Sequence, residues 1–393
     1  MIGIGVPLLG TKKLTIFNAD FTSLTKGDMS AATFLSSTGL TFARASGGST
    51  IQTSASTLIT GLTGSDRPRV GYYGLVIDRA ATNNWPMAAR LHATGANIAG
   101  ASGGTIFAYF DAYGPGPDVG SAGAINADRF TNTPGGYASY YSGVGTHTYA
   151  VSAWVQQGVT ATPYQILLYS GFQTVYGMLT PTWQKINVSG PNDGLFSPVD
   201  NRDWGNGSFT VDILMAWIQL ELDELYTTEC IYTTSGPVTR AGEQLSQSIG
   251  SKLIDSGQLS LEIKFVPKGG AAQYSADMYI YSDQSTTDSV WIDHTTQKLN
   301  AKIGGTPVTL GTVISWNPYD TVQMFITAGG SLPTTGYYAV NGGMPISLGS
   351  NAALGSLAPA GGVDLFCKST GNQLTCSIQT IAAWKSGKTP AWI

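Results

Sequence analysis

The loop Asn201-Arg-Asp-Trp-Gly-Asn206 sets an indole among groups that donate and accept hydrogen bonds. An aromatic face can take the apolar side of a pyranose ring, while Asn, Asp or Arg beside it hold the hydroxyls. Trp204 is therefore the candidate platform, with Asn201, Arg202, Asp203 and Asn206 as its polar partners. The competing use of Trp204 is to fold under its own loop as a satellite of the core. A second aromatic group, Tyr137, Tyr140 and Tyr141, has the same chemistry. Neighbours on a strand face opposite sides, so Tyr140 and Tyr141 cannot share a groove. Tyr140 is kept as the candidate, with core packing as its competing use.

Glycoside cleavage needs two carboxyl groups about 5–10 Å apart, a separation that spacing along the chain does not reveal. Glu221, Asp223 and Glu224 cluster, but Glu221 and Asp223 fall on one strand face and read more simply as a solvated edge or as Ca²⁺ ligands. No DxDxDG-type loop accompanies them, so no cofactor is assigned and Ca²⁺ stays a minor alternative. Cys230, Cys367, Cys376, His92, His147 and His294 show no CxxC or HExxH spacing, which argues against a zinc centre and a Cys–His nucleophile. There is no G-x-S-x-G elbow for a serine hydrolase. The expectation is a protein without catalytic residues.

Composition sets the elements that must carry such a loop. Of 393 residues 50 are Gly, and charged residues make up only 11%, against roughly 25% in an average soluble chain. The best formers of exposed helix faces are the residues in short supply, so an all-β chain is expected. Disorder is disfavoured by 42% hydrophobic residues and a net charge of −4. No dense Lys/Arg run offers a footprint for nucleic acid. The longest apolar stretch, Ile213 to Ile218 with Leu220 beyond, falls far short of the ~20 residues that span a bilayer. Lys12 and Lys13 follow the apolar start instead of preceding it, so synthesis and folding in a cytoplasm are expected.

Turn residues recur between alternating runs, the pattern of sandwiches and barrels. In Gln258–Phe265 the residues Leu259, Leu261, Ile263 and Phe265 share one face. In Thr148–Val155, Tyr149, Val151, Ala153 and Val155 do the same, and Trp154 on the other side implies a covered outer face. Neither a heptad nor a short-period repeat is present. Alternation breaks near Asn83–Arg90, and Thr233–Ser251 reads as a polar linker. The expected parts are roughly 1–90, 91–240 and 250–393. Gly371-Asn372 reads as a two-residue hairpin turn, whose register would set Cys367 opposite Cys376, close enough for a disulfide, with Cys230 alone.

Three sets of strings resemble a family of tailed-phage virion proteins, the fibre, spike and decoration proteins. The first is Leu40-Thr-Phe-Ala-Arg-Ala-Ser46, with Arg67-Pro-Arg69 and Tyr73-Gly-Leu-Val-Ile-Asp-Arg-Ala-Ala-Thr-Asn83. Asp78 stands where the family usually has Glu. The second is Ala216-Trp-Ile-Gln-Leu-Glu221 with Tyr226-Thr-Thr-Glu-Cys-Ile-Tyr-Thr-Thr-Ser-Gly-Pro-Val-Thr-Arg-Ala241, similar to the close of a carbohydrate-binding-module-like jelly roll. Cys230 and Thr233 replace the usual Ser and Pro. The third comprises Leu259–Phe265, Val322–Thr327, Gly336–Gly342 and Ile378–Trp384, and it is similar to a concanavalin A-like (laminin G-like) sandwich.

The resemblance implies an all-β chain with a small N-terminal β domain for virion attachment and two jelly-roll or β-sandwich domains. It implies a structural protein at the virion surface that meets host polysaccharide and other virion proteins and forms a homo-oligomer, a trimer by preference. The alternatives are a capsid or tail scaffold that binds no sugar, and a glycan depolymerase. Met1, Ile2, Ile4, Val6, Leu8 and Leu9 would form a short apolar strand that adds to another virion protein. An edge strand in its own domain is the competing use of that segment.

Overall fold

The computed structural model describes residues 14–26, 30–45, 49–54, 57–62, 68–85, 111–115, 126–132, 134–141, 145–168, 173–233, 236–284, 287–305, 307–368 and 372–393. The apolar segment Met1–Leu9 lies outside the described residues. Among the described residues strands dominate, with one α-helix, Ser30–Thr38. The all-β, multi-sheet architecture expected from a glycine-rich, charge-poor composition is present.

Two pairs of antiparallel sheets make up most of it. In the middle of the chain a five-stranded sheet runs Gln184–Asn192, His147–Gln157, Val211–Leu222, Asn126–Asn132 and Asp111–Pro115. A four-stranded sheet, Tyr137–Tyr141, Leu195–Asp200, Pro163–Leu168 and Gln173–Met178, faces it across a core that holds Tyr149, Val151, Ala153, Val155, Ile166, Leu168, Val199 and Ile213. Period-two alternation sends these residues inward. Trp154 points the other way and packs with Trp183, Ala216, Trp217 and Cys230, so the outer face is indeed covered.

The larger sandwich is built from both ends of the chain. Its nine-stranded sheet includes Thr334–Val340, Val322–Gly329, Gln258–Pro267 and Cys376–Trp384. Its seven-stranded sheet includes Gln244–Gln247, Val363–Leu365, Met278–Asp283 and Ser289–Ile292. Leu259, Leu261, Ile263 and Phe265 enter the core between them, as their alternation predicts.

The expected division near residue 90 is corrected by the strand pairing. Thr15–Asp20 and Gly74–Ile77 both pair with Cys376–Trp384, and Leu40–Ala43 pairs with Gln244–Gln247. Phe17, Phe21, Leu35, Leu40, Leu75 and Ile77 share one core with Leu261 and Phe265. These short runs carry too little apolar surface for a core of their own and complete the sheets of the C-terminal sandwich instead. The stretch expected as a linker is corrected in the same way. Val238–Arg240 pairs with Ala81–Asn83, Gln244–Gln247 sits inside the seven-stranded sheet, and Arg240 and Glu243 are fully buried.

The cysteine register differs as well. Cys367 pairs with Gln373 and Lys368 with Asn372, so three residues, not two, separate the paired ends. Phe366, held at φ 62° and buried, turns the chain before the hairpin and accepts the Leu374 N–H at 3.0 Å. Cys376 consequently opens the next strand, opposite Ile77 and Pro267, and both Cys367 and Cys376 are buried free thiols.

Candidate functional site

The loop after the strand Leu195–Asp200 sits at one end of the four-stranded sheet. Asn201 is fully buried, and its amide Nδ2 donates to the Phe209 carbonyl at 2.7 Å. Its backbone N–H donates to Gly136 and its carbonyl accepts from Gly135 and Phe209, so Asn201 closes the loop. Asp203 Oδ1 accepts the N–H groups of Gly205 at 2.9 Å and Gly207 at 3.1 Å, an Asx turn that shapes the tip. These two predicted polar partners therefore spend hydrogen-bonding capacity on the loop itself.

The remaining three residues form a surface. The Arg202 guanidinium is paired with Asp200 through two of its nitrogens, lies 3.7 Å from the centroid of the Tyr137 ring and 5.1 Å from that of Trp204. Trp204 is half-buried, and Asn206 is exposed while donating through Nδ2 to Gln165 Oε1 at 2.9 Å. Tyr137 pairs with Asp200 across the strands, whereas Tyr140 stands opposite Phe196 beyond a register shift. The aromatic residue brought to the loop is Tyr137, and Tyr140 lies further along the strand. Period-two alternation does not survive the extra residue of a bulge, so the sequence could not single out Tyr137.

A second concentration of chemistry sits where the two sandwiches and the stretch between them meet. Glu243 Oε1 accepts from Arg44 Nη1 at 2.9 Å and from Arg69 Nε at 2.8 Å, and Glu243 Oε2 accepts the Asp78 N–H at 2.9 Å. Asp78 in turn faces Arg69 at 2.8 Å, Arg240 at 3.2 Å and Lys268 at 2.9 Å, and Lys268 also reaches Glu229 at 2.8 Å. The side chains of Arg44, Arg69, Asp78, Arg240 and Glu243 have no solvent exposure. Burial alone would push the Asp78 carboxyl up, but Lys268, Arg240 and Arg69 hold it well below the usual carboxylate range. Glu229 is lowered in the same way, burial being outweighed by Lys268 and Lys185.

Asn83 ties this cluster to the middle sandwich. Its Nδ2 donates to the Ile218 and Ile231 carbonyls at 3.0 and 2.9 Å, and its Oδ1 accepts the Leu220 N–H at 2.9 Å. The amide thereby stands in for a strand partner beside a bulge, where Trp217 adopts φ 54°.

Glu221 is not a solvated edge residue. It is buried, pairs with Arg79 and accepts from the Thr228 N–H at 2.7 Å and the Gln219 amide at 2.8 Å. Asp223 instead meets His147 at 3.0 Å. Glu224 faces Arg79 at 3.2 Å, and burial, opposed by Arg79 and aided by Glu221 and Asp223, raises its carboxyl to about 7. Among the described residues no three His, Cys, Asp or Glu side chains are grouped to hold a metal ion.

Sequence reasoning singled out neither Glu243 nor Lys268. The signal available was scarcity: in a chain with 11% charged residues, acids and bases close to apolar strands are candidates for burial. No protein-family model matches the chain, and a comparison with curated proteins finds no match either.

Proposed function

We propose that this chain is a structural protein of a tailed-phage virion, a fibre, spike or decoration protein. In this reading it presents sandwich domains of the jelly-roll and concanavalin A-like kinds to host surface glycans. One observation carries the proposal: Arg44, Arg69, Asp78 and Arg240, which belong to the strings that resemble that family, converge on a single buried ion cluster. Residues scattered through a motif acquire one physical task, joining both ends of the larger sandwich to the stretch that connects the two sandwiches. A stiff unit of this kind suits a particle component that must transmit contact without bending.

In this reading Trp204, Tyr137 and Arg202 form a weak, half-buried glycan contact, and oligomerisation, by preference to a trimer, multiplies it. Met1–Leu9 is the proposed anchor on neighbouring virion proteins. The protein is made in the host bacterial cytoplasm and resides on the virion surface. A non-enzymatic role is supported by Glu221, whose carboxylate is engaged by Arg79 and Thr228.

A second reading, a virion scaffold that binds no sugar, is favoured by Asn201 and Asp203, whose polar groups serve the loop. Retention of the purified full-length chain on immobilised host surface polysaccharide separates the two. Retention that free polysaccharide competes away supports the glycan reading, and passage without retardation supports the scaffold.

A further inference from the structure

A cleft of about 190 Å³ opens between the sandwiches, outside the loop described above. One wall is the outward face of the strand Gln184–Asn192, with Asn187 and Ser189, and the other carries Gln273 and the turn that ends in Tyr319. Tyr226 lines the cleft from the connecting stretch and Lys268 borders it, the ammonium neutralised by Asp78 and Glu229. The lining combines two tyrosines and two amides with the apolar Val151, Val188, Leu225 and Pro318.

Tyr319 holds an unusual backbone conformation, φ 65°. A bulky side chain in the left-handed region is an outlier, which Gly or Asn adopts at far lower cost. The surroundings enforce it. The Tyr319 N–H donates to the Pro267 carbonyl at 2.8 Å, and Asp320 is gripped by the Asn317 N–H at 2.8 Å and by Asn341 Nδ2 at 2.7 Å. Strain kept in place by this many bonds points to a use for the side chain it positions. The Tyr319 ring lies 6.1 Å from that of Tyr73, which continues to the exposed Tyr72 at 4.7 Å, so a row of rings leads away from the cleft.

We propose that this cleft is a saccharide-binding site for one neutral hexopyranose unit, with Tyr319 as its stacking face. Asn187 and Gln273 supply amide N–H donors and Ser189 a hydroxyl. Asn187 Oδ1 already accepts from Thr227 and Gln273 Oε1 from the Gly270 N–H, which orients each amide nitrogen. The cleft admits a ring and is too small for the drug-sized ligands that fill pockets of roughly 300 Å³ and more. The donors on its walls, two amides and a hydroxyl, are uncharged groups suited to the hydroxyls of a neutral sugar. The inference rests on the glycan-contact reading but assigns a different place from the Trp204 loop.

The test is saturation-transfer NMR on the full-length chain with the methyl glycosides of glucose, galactose, mannose and rhamnose. Transfer to at least one is expected. Tyr319→Gly should weaken it tenfold or more; Gly relieves the left-handed strain but gives up the ring contact with Tyr73, so stability is followed alongside binding. Asn187→Ala, on an exposed strand face, should weaken it without unfolding. Transfer that survives both variants and disappears with Trp204→Ala overturns the cleft and leaves the glycan reading standing. Transfer to none of the four glycosides overturns the cleft as well, while retention on host polysaccharide judges the broader reading separately.

Discussion

Arg69 and Glu243 stand 174 residues apart in the chain and meet without any solvent access, Arg69 Nε donating to Glu243 Oε1 at 2.8 Å. Around that contact the ends of the larger sandwich close on each other. A buried ion pair adds little net stability over an apolar replacement, since desolvation offsets most of the attraction. What it imposes is dependence, because each member left alone is a bare charge without water.

Glu243→Gln keeps the shape and removes the charge, so Arg44 and Arg69 are left facing a neutral amide. Breaking a buried pair in this way costs about 3–5 kcal/mol. Denaturant unfolding of the purified variant should show a loss of that size. An unchanged midpoint would mean that the cluster tolerates a missing anion and does not hold the ends of the larger sandwich together.

Trp204→Ala is expected to reduce retention on host polysaccharide at least tenfold and to cost no more than about 2 kcal/mol, the scale of a partly desolvated cation–π contact. A core Trp behaves otherwise, losing about 3–5 kcal/mol on truncation. Large destabilisation with unaltered retention would return Trp204 to a packing role under its loop.

Two carboxyl groups give stability opposite slopes with pH. Glu224 in the folded chain keeps its proton up to about pH 7, whereas its ordinary value is 4.5. The stability it contributes is therefore fully present below about 4.5 and is lost as pH rises through 7, on the order of 3 kcal/mol. Asp78 is held low, so its contribution is present above the usual carboxylate value of about 3.9 and is lost as pH falls below it. Glu224→Gln cannot titrate, and its melting temperature relative to the parent chain should climb between pH 5 and pH 8. A constant difference across that range would show that Glu224 ionises normally.

The strands were legible where one rule dominates. Leu259, Leu261, Ile263 and Phe265, like Tyr149, Val151, Ala153 and Val155, enter a sandwich core at every second position, as alternation predicts, while Trp154 on the opposite face is covered by a separate cluster. Pairing over long distances was not legible, since nothing local in Gly74–Ile77 announces a partner in Cys376–Trp384. Gly74 shows the difficulty: at φ 129° it has the Ile378 carbonyl oxygen 2.1 Å from where a Cβ would stand, a constraint set by a residue some three hundred positions away. The cysteine hairpin departs from a two-residue turn because Phe366 bends the chain one residue before the expected register begins. In the candidate loop, Trp204 and its neighbours were visible from their types. That Asn201 and Asp203 would be consumed by the loop, and that Tyr137 would join it, depended on turn geometry and a bulge.

The proposed role places the chain at a phage particle surface. Gold-labelled antibody raised against the purified chain, applied to intact particles of the phage that encodes it and viewed by electron microscopy, tests this most directly. Label is expected at a regular position on every particle, on the head or along the tail. Particles without label, from lysates in which the chain is abundant in the particle-free fraction, would contradict it.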